Sequence, residues 1–330
     1  MNKTIKSIIL IFLSAFVLVG CNSSEIVEED LSVQTVEISS LKGATTIGLA
    51  KMIDDHENND ENIIIDNKKV EYNFEQFGLA EEVVAKLMKG ETDLATIPAN
   101  LASTLYNKSE GDIQVVSINT LGVLYMVENG NSVNSIEDLS GKTVYSVGKG
   151  ITPEGVLSLF IQGNQLEDVK VEYKSEASEI AALLKTESDI IAMLPEPFVS
   201  VVKKGNRDIR TIFDMNEEWE KLNNGNSMVT GVLVGRREFL EENSDILEVF
   251  LKEYEDSMEF AKTEPEKTGE IVESMGIIPE GIGKYSIPNC NISFIKGEEM
   301  KSLLQDYLTN LYNFKADLVG GSIPKEDFYY

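Results

Sequence analysis

The chain has 330 residues, with 56 Asp and Glu against 29 Lys and Arg and a formal net charge of −27. Such acidity excludes a nucleic-acid binder and a protein that docks on anionic lipid through its own charge, since both need a basic surface. With 42% hydrophobic residues the chain can bury an ample core, while one histidine and two cysteines are too few for a transition-metal site, so neither metal nor cofactor is expected.

At the N-terminus, Lys3 and Lys6 precede an apolar run from Ile8 to Val19. This reads as a signal peptide over residues 1–20, because the run is too short to cross a bilayer as a helix. Leu18-Val19-Gly20-Cys21 resembles the bacterial lipobox. That resemblance implies cleavage before Cys21 and acylation of its thiol and amino group. Residues 21–31 then form a polar tether, and the lipid holds the protein at the outer face of the cell membrane without spanning it. Cys290 is left as the one remaining cysteine, read as a buried, inert thiol.

Val33 to Ile38 alternates as a strand and leads through Leu41 to Thr46 into a helix carrying Ile47, Leu49 and Ile53, capped by Thr45 or Thr46. Asp54 to Asn62 is an acidic surface loop, and two short strands follow up to Phe74. Leu79, Val83 and Leu87 mark one face of a helix. Asp93 to Ile97 is a short apolar strand. Pro98 then opens a helix over Ala99 to Tyr106, at a position where no amide hydrogen is needed.

Strands are expected over Ile113 to Ile118 and Gly122 to Val127. Ile136 to Val144 begins a new α/β unit whose strand runs into Gly148-Lys149-Gly150-Ile151-Thr152 and another helix. Beyond it come a helix from Phe198 to Lys203, a strand over Ile209 to Phe213, a segment holding Trp219, and an apolar stretch from Met228 to Val234. Helical spacing then dominates over 246–261, 265–275 and 298–312.

Two stretches repeat one another. Val70-Glu71-Tyr72, a helix, and Leu87 to Pro98 match Val171-Glu172-Tyr173, a helix, and Leu183 to Pro195. A βαβ unit written twice predicts an α/β protein of two lobes facing a cleft, and open α/β sheets hold ligands at the carboxyl ends of parallel strands. The apolar strands at Leu121 to Val127 and Met228 to Val234 flank the second unit and read as crossings. Lobe 1 is therefore expected over 32–121 and 233–330, and lobe 2 over 122–232.

The lipobox, the Asp138-Leu139-Ser140-Gly141-Lys142-Thr143-Val144 segment and the paired strands ending in proline resemble solute-binding proteins of ABC importers. The resemblance is to the nitrate, sulfonate, taurine and thiamine-precursor group, with its type II periplasmic-binding-protein fold. It implies a monomer that closes two hinged lobes on a small molecule, delivers it to ABC permease subunits and performs no chemistry. The implied ligand is an anion such as a sulfonate, or a pyrimidine-like heterocycle.

Four strand ends that open helices converge on the expected cleft, where free amides and helix dipoles suit anionic groups. They supply Lys42, Thr45 and Thr46; Pro98 and Asn100; Lys149, Gly150 and Thr152; and Glu196 between two prolines. Any single threonine reads first as a simple helix cap, the convergence of four helix starts being the stronger signal, and Lys149 reads equally as a solvated surface lysine. Glu196 suits an amine or an aminopyrimidine edge, or only the start of its own helix. Phe77 borders the cleft, Trp219 is a stacking wall or an edge-packing residue, and Thr120 and Thr230 lie beside the crossings. Two alternatives stand beside this reading. One is an enzyme on a related fold acting on a pyrimidine-like substrate, for which Lys149 is the only reactive group on offer. The other is a lipoprotein sensor or adhesin.

Overall fold

The computed structural model describes residues 31–58 and 63–330. The signal segment, Cys21, the tether up to residue 30 and the end of the acidic loop lie outside the described residues.

The first six strands are β1 (Ser32–Leu41), β2 (Ile63–Ile65), β3 (Lys68–Phe77), β4 (Leu94–Pro98), β5 (Ile113–Leu121) and β6 (Leu124–Asn129). The rest are β7 (Thr143–Ser146), β8 (Lys170–Tyr173), β9 (Ile190–Pro195), β10 (Ile209–Asp214), β11 (Val229–Arg236) and β12 (Ile292–Ile295). They form a seven-stranded sheet ordered β12-β5-β11-β4-β1-β3-β2 and a five-stranded sheet ordered β10-β6-β9-β7-β8.

The sequence repeat is a repeat of topology. In the larger sheet β3, β1 and β4 run parallel and β11 lies antiparallel on β4. In the smaller sheet β8, β7 and β9 run parallel and β6 lies antiparallel on β9. Helices Ala80–Lys89 and Ala177–Thr186 connect β3 to β4 and β8 to β9. The apolar runs of β4 and β9 do not alternate, because helices cover both faces of a parallel sheet and every residue before the terminal proline is buried. Helix Ala80–Lys89 buries Val83 and Leu87, places Glu81 and Glu82 in its first turn and Lys86 and Lys89 in its last, and ends on Gly90 at φ 71°. These are the charges and the left-handed cap that suit the two ends of a helix.

The chain changes sheet between Leu121 and Leu124 and again between Asp214 and Val229. Residues 229–232, expected within lobe 2, instead pair with β4 and β5 in the larger sheet, which takes up the whole apolar length of β11. The first crossing is short, the second carries helix Met215–Leu222, and Asn216 lies against both. Its Oδ1 accepts the Met228 amide at 3.1 Å, and a Cβ on Gly122 would sit 2.4 Å from that same oxygen.

After Arg236 the chain is largely helical and returns to the larger sheet. Helix Ser244–Thr263 buries Phe250, Tyr254 and Met258, and a Cβ at Gly48 would come within 2.9 Å of Met258 Cε. Helix Gly297–Phe314 does something further. Its Leu304, Leu308 and Leu311 share one apolar cluster with Val156, Leu157 and Phe160 of helix Thr152–Gly163, which belongs with the smaller sheet. The two lobes therefore meet through a packed core along one side, and the space between them lies on the other.

Candidate ligand cleft

A cavity of about 720 Å³ opens between the lobes. One wall is helix Phe198–Gly205, which turns Val199, Ser200, Lys203 and Lys204 toward it, with Arg207 just beyond the helix end. The facing wall is the 283–289 segment of the other lobe, contributing Tyr285 and Asn289. Tyr125 of β6, Glu196 and Asp214 close the inner end. Several contacts cross the cavity: Tyr125 donates from its hydroxyl to the Asn289 carbonyl at 3.1 Å, and Lys204 Nζ donates to the carbonyls of Glu280 and Gly281 at 3.0 and 3.2 Å.

Glu196 is the acid of this site. It is 3% exposed, its backbone amide donates to Val123 at 2.9 Å, and its carboxylate accepts the Ser200 amide at 3.1 Å and the Ser200 hydroxyl at 3.0 Å. Burial pushes its pKa up to about 7, and the Ser200 bonds, the Lys203 charge and an Asn289 hydrogen bond offset only part of that rise. Burying a carboxylate disfavours its charged form unless a counter-charge is close. Asp214 is also raised, chiefly by burial, although it caps helix Met215–Leu222 by accepting the Asn216 amide at 2.8 Å. Burial likewise lifts the Cys290 thiol well above its ordinary value, and its Sγ lies 3.2 Å from the Ser286 carbonyl. The thiol is inert in this setting.

Of the residues expected at the site, Glu196 lines this cavity and the others lie elsewhere. Thr45 and Thr46 both donate to the Leu41 carbonyl, at 2.9 and 2.6 Å, and so close the end of β1. Asn100 and Thr152 meet each other across the lobes. Thr152 Oγ1 donates to Asn100 Oδ1 at 3.0 Å, Asn100 Nδ2 donates to the Leu318 carbonyl at 3.1 Å, and the Tyr307 hydroxyl donates to Thr152 at 3.2 Å. Trp219 is 2% exposed, with its ring 5.4 Å from that of Tyr307, which makes it a packing residue. Thr120 donates to Asn119 Oδ1 at 2.9 Å and is fully buried, and Thr230 is partly buried on β11. Lys42, Lys149 and Gly150 are exposed, and Phe77 and Pro98 half-buried at their strand ends.

Every other residue that lines the cavity was missed by sequence reasoning: Tyr125, Asp214 and Thr211 from strands β6 and β10, the lining residues of the stretch from Val199 to Arg207, and Tyr285 and Asn289. Part of the signal was present. Ser200, Lys203, Lys204 and Arg207 recur at three- and four-residue spacing after Pro197, a polar stripe down one face of a helix. Tyr285 and Asn289 carry no local signal at all.

A family model described as NMT1/THI5 like matches residues 76–268. The chain belongs to this family. Among solved structures, an ABC transporter protein of Parabacteroides distasonis is 25% identical, with a TM-score of 0.73 over 90% of this chain and 98% of that one. The periplasmic aliphatic sulphonate binding protein SsuA of Escherichia coli matches at 14% identity and TM-score 0.70, covering 90% and 92% of the two chains. The ligand-binding component of an ABC-type import system of Staphylococcus aureus, a structure with zinc bound, matches at 15% identity and TM-score 0.68, covering 90% and 96%. No curated protein matches the chain in sequence. The α/β, two-sheet architecture of the NMT1/THI5-like chain is that of periplasmic binding proteins. The family model matches over more than half of the chain and the 25% identical neighbour is an ABC transporter protein, so the chain is a solute-binding protein of that kind. Among the described residues no cluster of His, Cys, Asp and Glu is arranged to hold a metal ion.

Proposed function

We propose that this protein is the extracytoplasmic, lipid-anchored receptor of an ABC importer, capturing one small molecule between its lobes and presenting it to the permease. The interlobe cavity carries the proposal, because it is bounded by Tyr125 and Glu196 from one lobe and by Tyr285 and Asn289 from the other. A ligand that touches both walls favours closure, and closure is what a permease reads. Glu196 is the residue that reads the ligand, while Asn100 and Thr152 hold the lobes together on the far side. The ligand is a small organic molecule bearing a sulfonate-like anionic group or a flat, pyrimidine-like ring with an exocyclic amine. Lobe 1 comprises 32–121 with 233–330, extended to take in all of β11, and lobe 2 the part between.

Thermal denaturation of the chain from Asn22 onward, screened against sulfonates, amino sulfonates, pyrimidines and small amines, tests the reading. A ligand held in hundredfold excess over its Kd stabilises the native state by about 2.7 kcal/mol. A raised Tm with one class supports solute capture. Capture of a protein partner, with no small molecule shifting the Tm, sinks it in favour of an adhesin. Anchoring has its own test: Cys21→Ser should release the protein from the membrane fraction, and unchanged lipid labelling would remove the lipoprotein claim.

A further inference from the structure

The cavity is polarised along its length. Glu196 and the half-buried Asp214 sit at its inner end together with Tyr125, whose hydroxyl burial and both carboxylates hold in its protonated form. Lys203 and Lys204 sit in the last turn of helix Phe198–Gly205, with Arg207 just past it. Between these ends the walls are the apolar Val199 and the ring of Tyr285, which is 57% exposed at the mouth. Along β10, Asp214, which pairs with Tyr125, and Thr211, which holds Lys203, are three residues apart, about 10 Å at about 3.3 Å per strand residue.

The basic end has capacity to spare. Each ammonium has three N–H donors. Lys204 gives two to backbone carbonyls and Lys203 gives one to Thr211 Oγ1 at 3.0 Å. The two lysines also offset the carbonyl end of their helix. Arg207 lies past that end, so the helix dipole does not account for its place on the cavity wall. At the acidic end, Glu196 is held by Ser200 with its carboxylate turned into the cavity wall, where a cation would supply the counter-charge that burial demands.

We propose that the ligand is an elongated dipolar molecule, with a protonated amine or amidine at the Glu196–Asp214 end, a carboxylate, sulfonate or phosphate at the Lys203–Arg207 end, and an apolar spacer along Val199 and Tyr285. This rests on the solute-binding reading above and narrows it. A purely anionic solute leaves Glu196 unpaired, and a simple amine leaves the basic end unpaired. Either loses part of the interaction that the dipolar molecule makes at both ends. The Tyr125 ring adds a face for the cation.

Calorimetry on the acyl-free chain at pH 8 provides the test, with 6-aminohexanesulfonate, hexylamine and hexanesulfonate as probes. The dipolar compound should bind at least about tenfold more tightly than either half, since a buried charge pair left incomplete costs more than the 1.4 kcal/mol that tenfold represents. Glu196→Gln should weaken the dipolar compound and hexylamine by about tenfold or more, and hexanesulfonate by less than about threefold. The paired change Lys203→Gln with Arg207→Gln should give the mirror result. The retained binding of one half by each variant shows that the variant is folded. If hexanesulfonate matches the dipolar compound, or Glu196→Gln leaves the dipolar compound unaffected, the dipolar assignment is overturned while solute binding stands. If none of the three probes binds, the assignment is also overturned. Native mass spectrometry of protein purified from its own cells then decides the wider reading: a small-molecule adduct keeps solute capture, and its absence removes both.

Discussion

The loops that follow β4 and β9 occupy equivalent places in the two lobes and have opposite fates. After β4, Pro98-Ala99-Asn100 turns into helix Ala99–Lys108, and Asn100 is consumed by the Leu318 carbonyl and the Thr152 hydroxyl. After β9, Pro195-Glu196-Pro197 turns into helix Phe198–Gly205, and Glu196 opens on the cavity. The difference comes from what the C-terminal part of the chain brings to each. Helix Gly297–Phe314 and the 316–319 turn fill the space above the first loop with apolar side chains and backbone. The 283–289 segment reaches the second loop through a wall of mixed polarity and leaves a space behind it. A duplicated unit thus yields one plugged loop and one loop that opens on a cavity, the proposed recognition loop, according to which later segment covers it.

The largest effect should come from breaking the structural loop. Asn100→Leu keeps the branched shape in a somewhat bulkier side chain but leaves the Leu318 carbonyl without its donor and the Thr152 hydroxyl without its acceptor, both buried. Each orphaned group costs about 1–3 kcal/mol, so urea denaturation should show a loss of about 3 kcal/mol. Affinity for the captured solute should change little in the fraction that remains folded. Full stability combined with lost binding would reverse the roles of the two loops.

How far this asymmetry is legible in sequence depends on distance along the chain. The repeat itself is local: strand, helix, acidic turn and apolar strand within 29 residues in one copy and 25 in the other, and it correctly implies two sheets of like topology. The C-terminal helices are equally legible, because Ile246, Phe250 and Tyr254 recur at helical spacing. The cavity is not. Tyr125 and the Asn289 carbonyl that it bonds are 164 residues apart, and Asn100 and Leu318 are 218 apart. Nothing in either local pattern says that one loop will be plugged. Trp219 shows the same limit. Alone in an acidic stretch it fits a stacking wall or a packing residue, and only the arrival of Tyr307 from a distant helix puts it in the core.

Glu196 should reveal the recognition loop through pH, with a smaller effect on stability. Its folded pKa, pushed up to about 7, lies above the ordinary carboxylate value of 4.5. The folded state therefore holds the proton more tightly than the unfolded chain. The stabilising contribution is complete below about pH 4.5 and is lost as pH rises through about 7. Around this carboxyl are Tyr125 from β6, Ser200 on the helix that follows it and the charge of Lys203 farther along that helix, Asp214 from β10, and Asn289 and Cys290 from the other lobe. Lys203 moderates the loss and Asp214 does not. Glu196→Gln, which never ionises, should raise the Tm of the ligand-free protein at pH 8 and leave it nearly unchanged at pH 5. Equal shifts at both values would show that Glu196 keeps its charge in the folded protein without help. A cationic ligand group should bind more weakly as pH falls from 8 to 6, because it competes with that proton.

The smallest effect should come from Lys204, which neither loop contains but which decides how firmly the recognition loop is covered. Its ammonium donates across the cavity to Glu280 and Gly281 at an exposed position, where a hydrogen bond contributes about 1 kcal/mol. Lys204→Ala should therefore shift the balance of open and closed lobes by about fivefold and leave the fold intact, since each lobe keeps its own sheet. A distance probe placed between the lobes should report a larger open population without ligand, and solute should dissociate about fivefold faster with little change in its rate of entry. If dissociation is unaltered, Lys204 serves only to complement the end of its own helix. Closure over the recognition loop then falls to the Tyr125 contact with Asn289 and to the ligand itself.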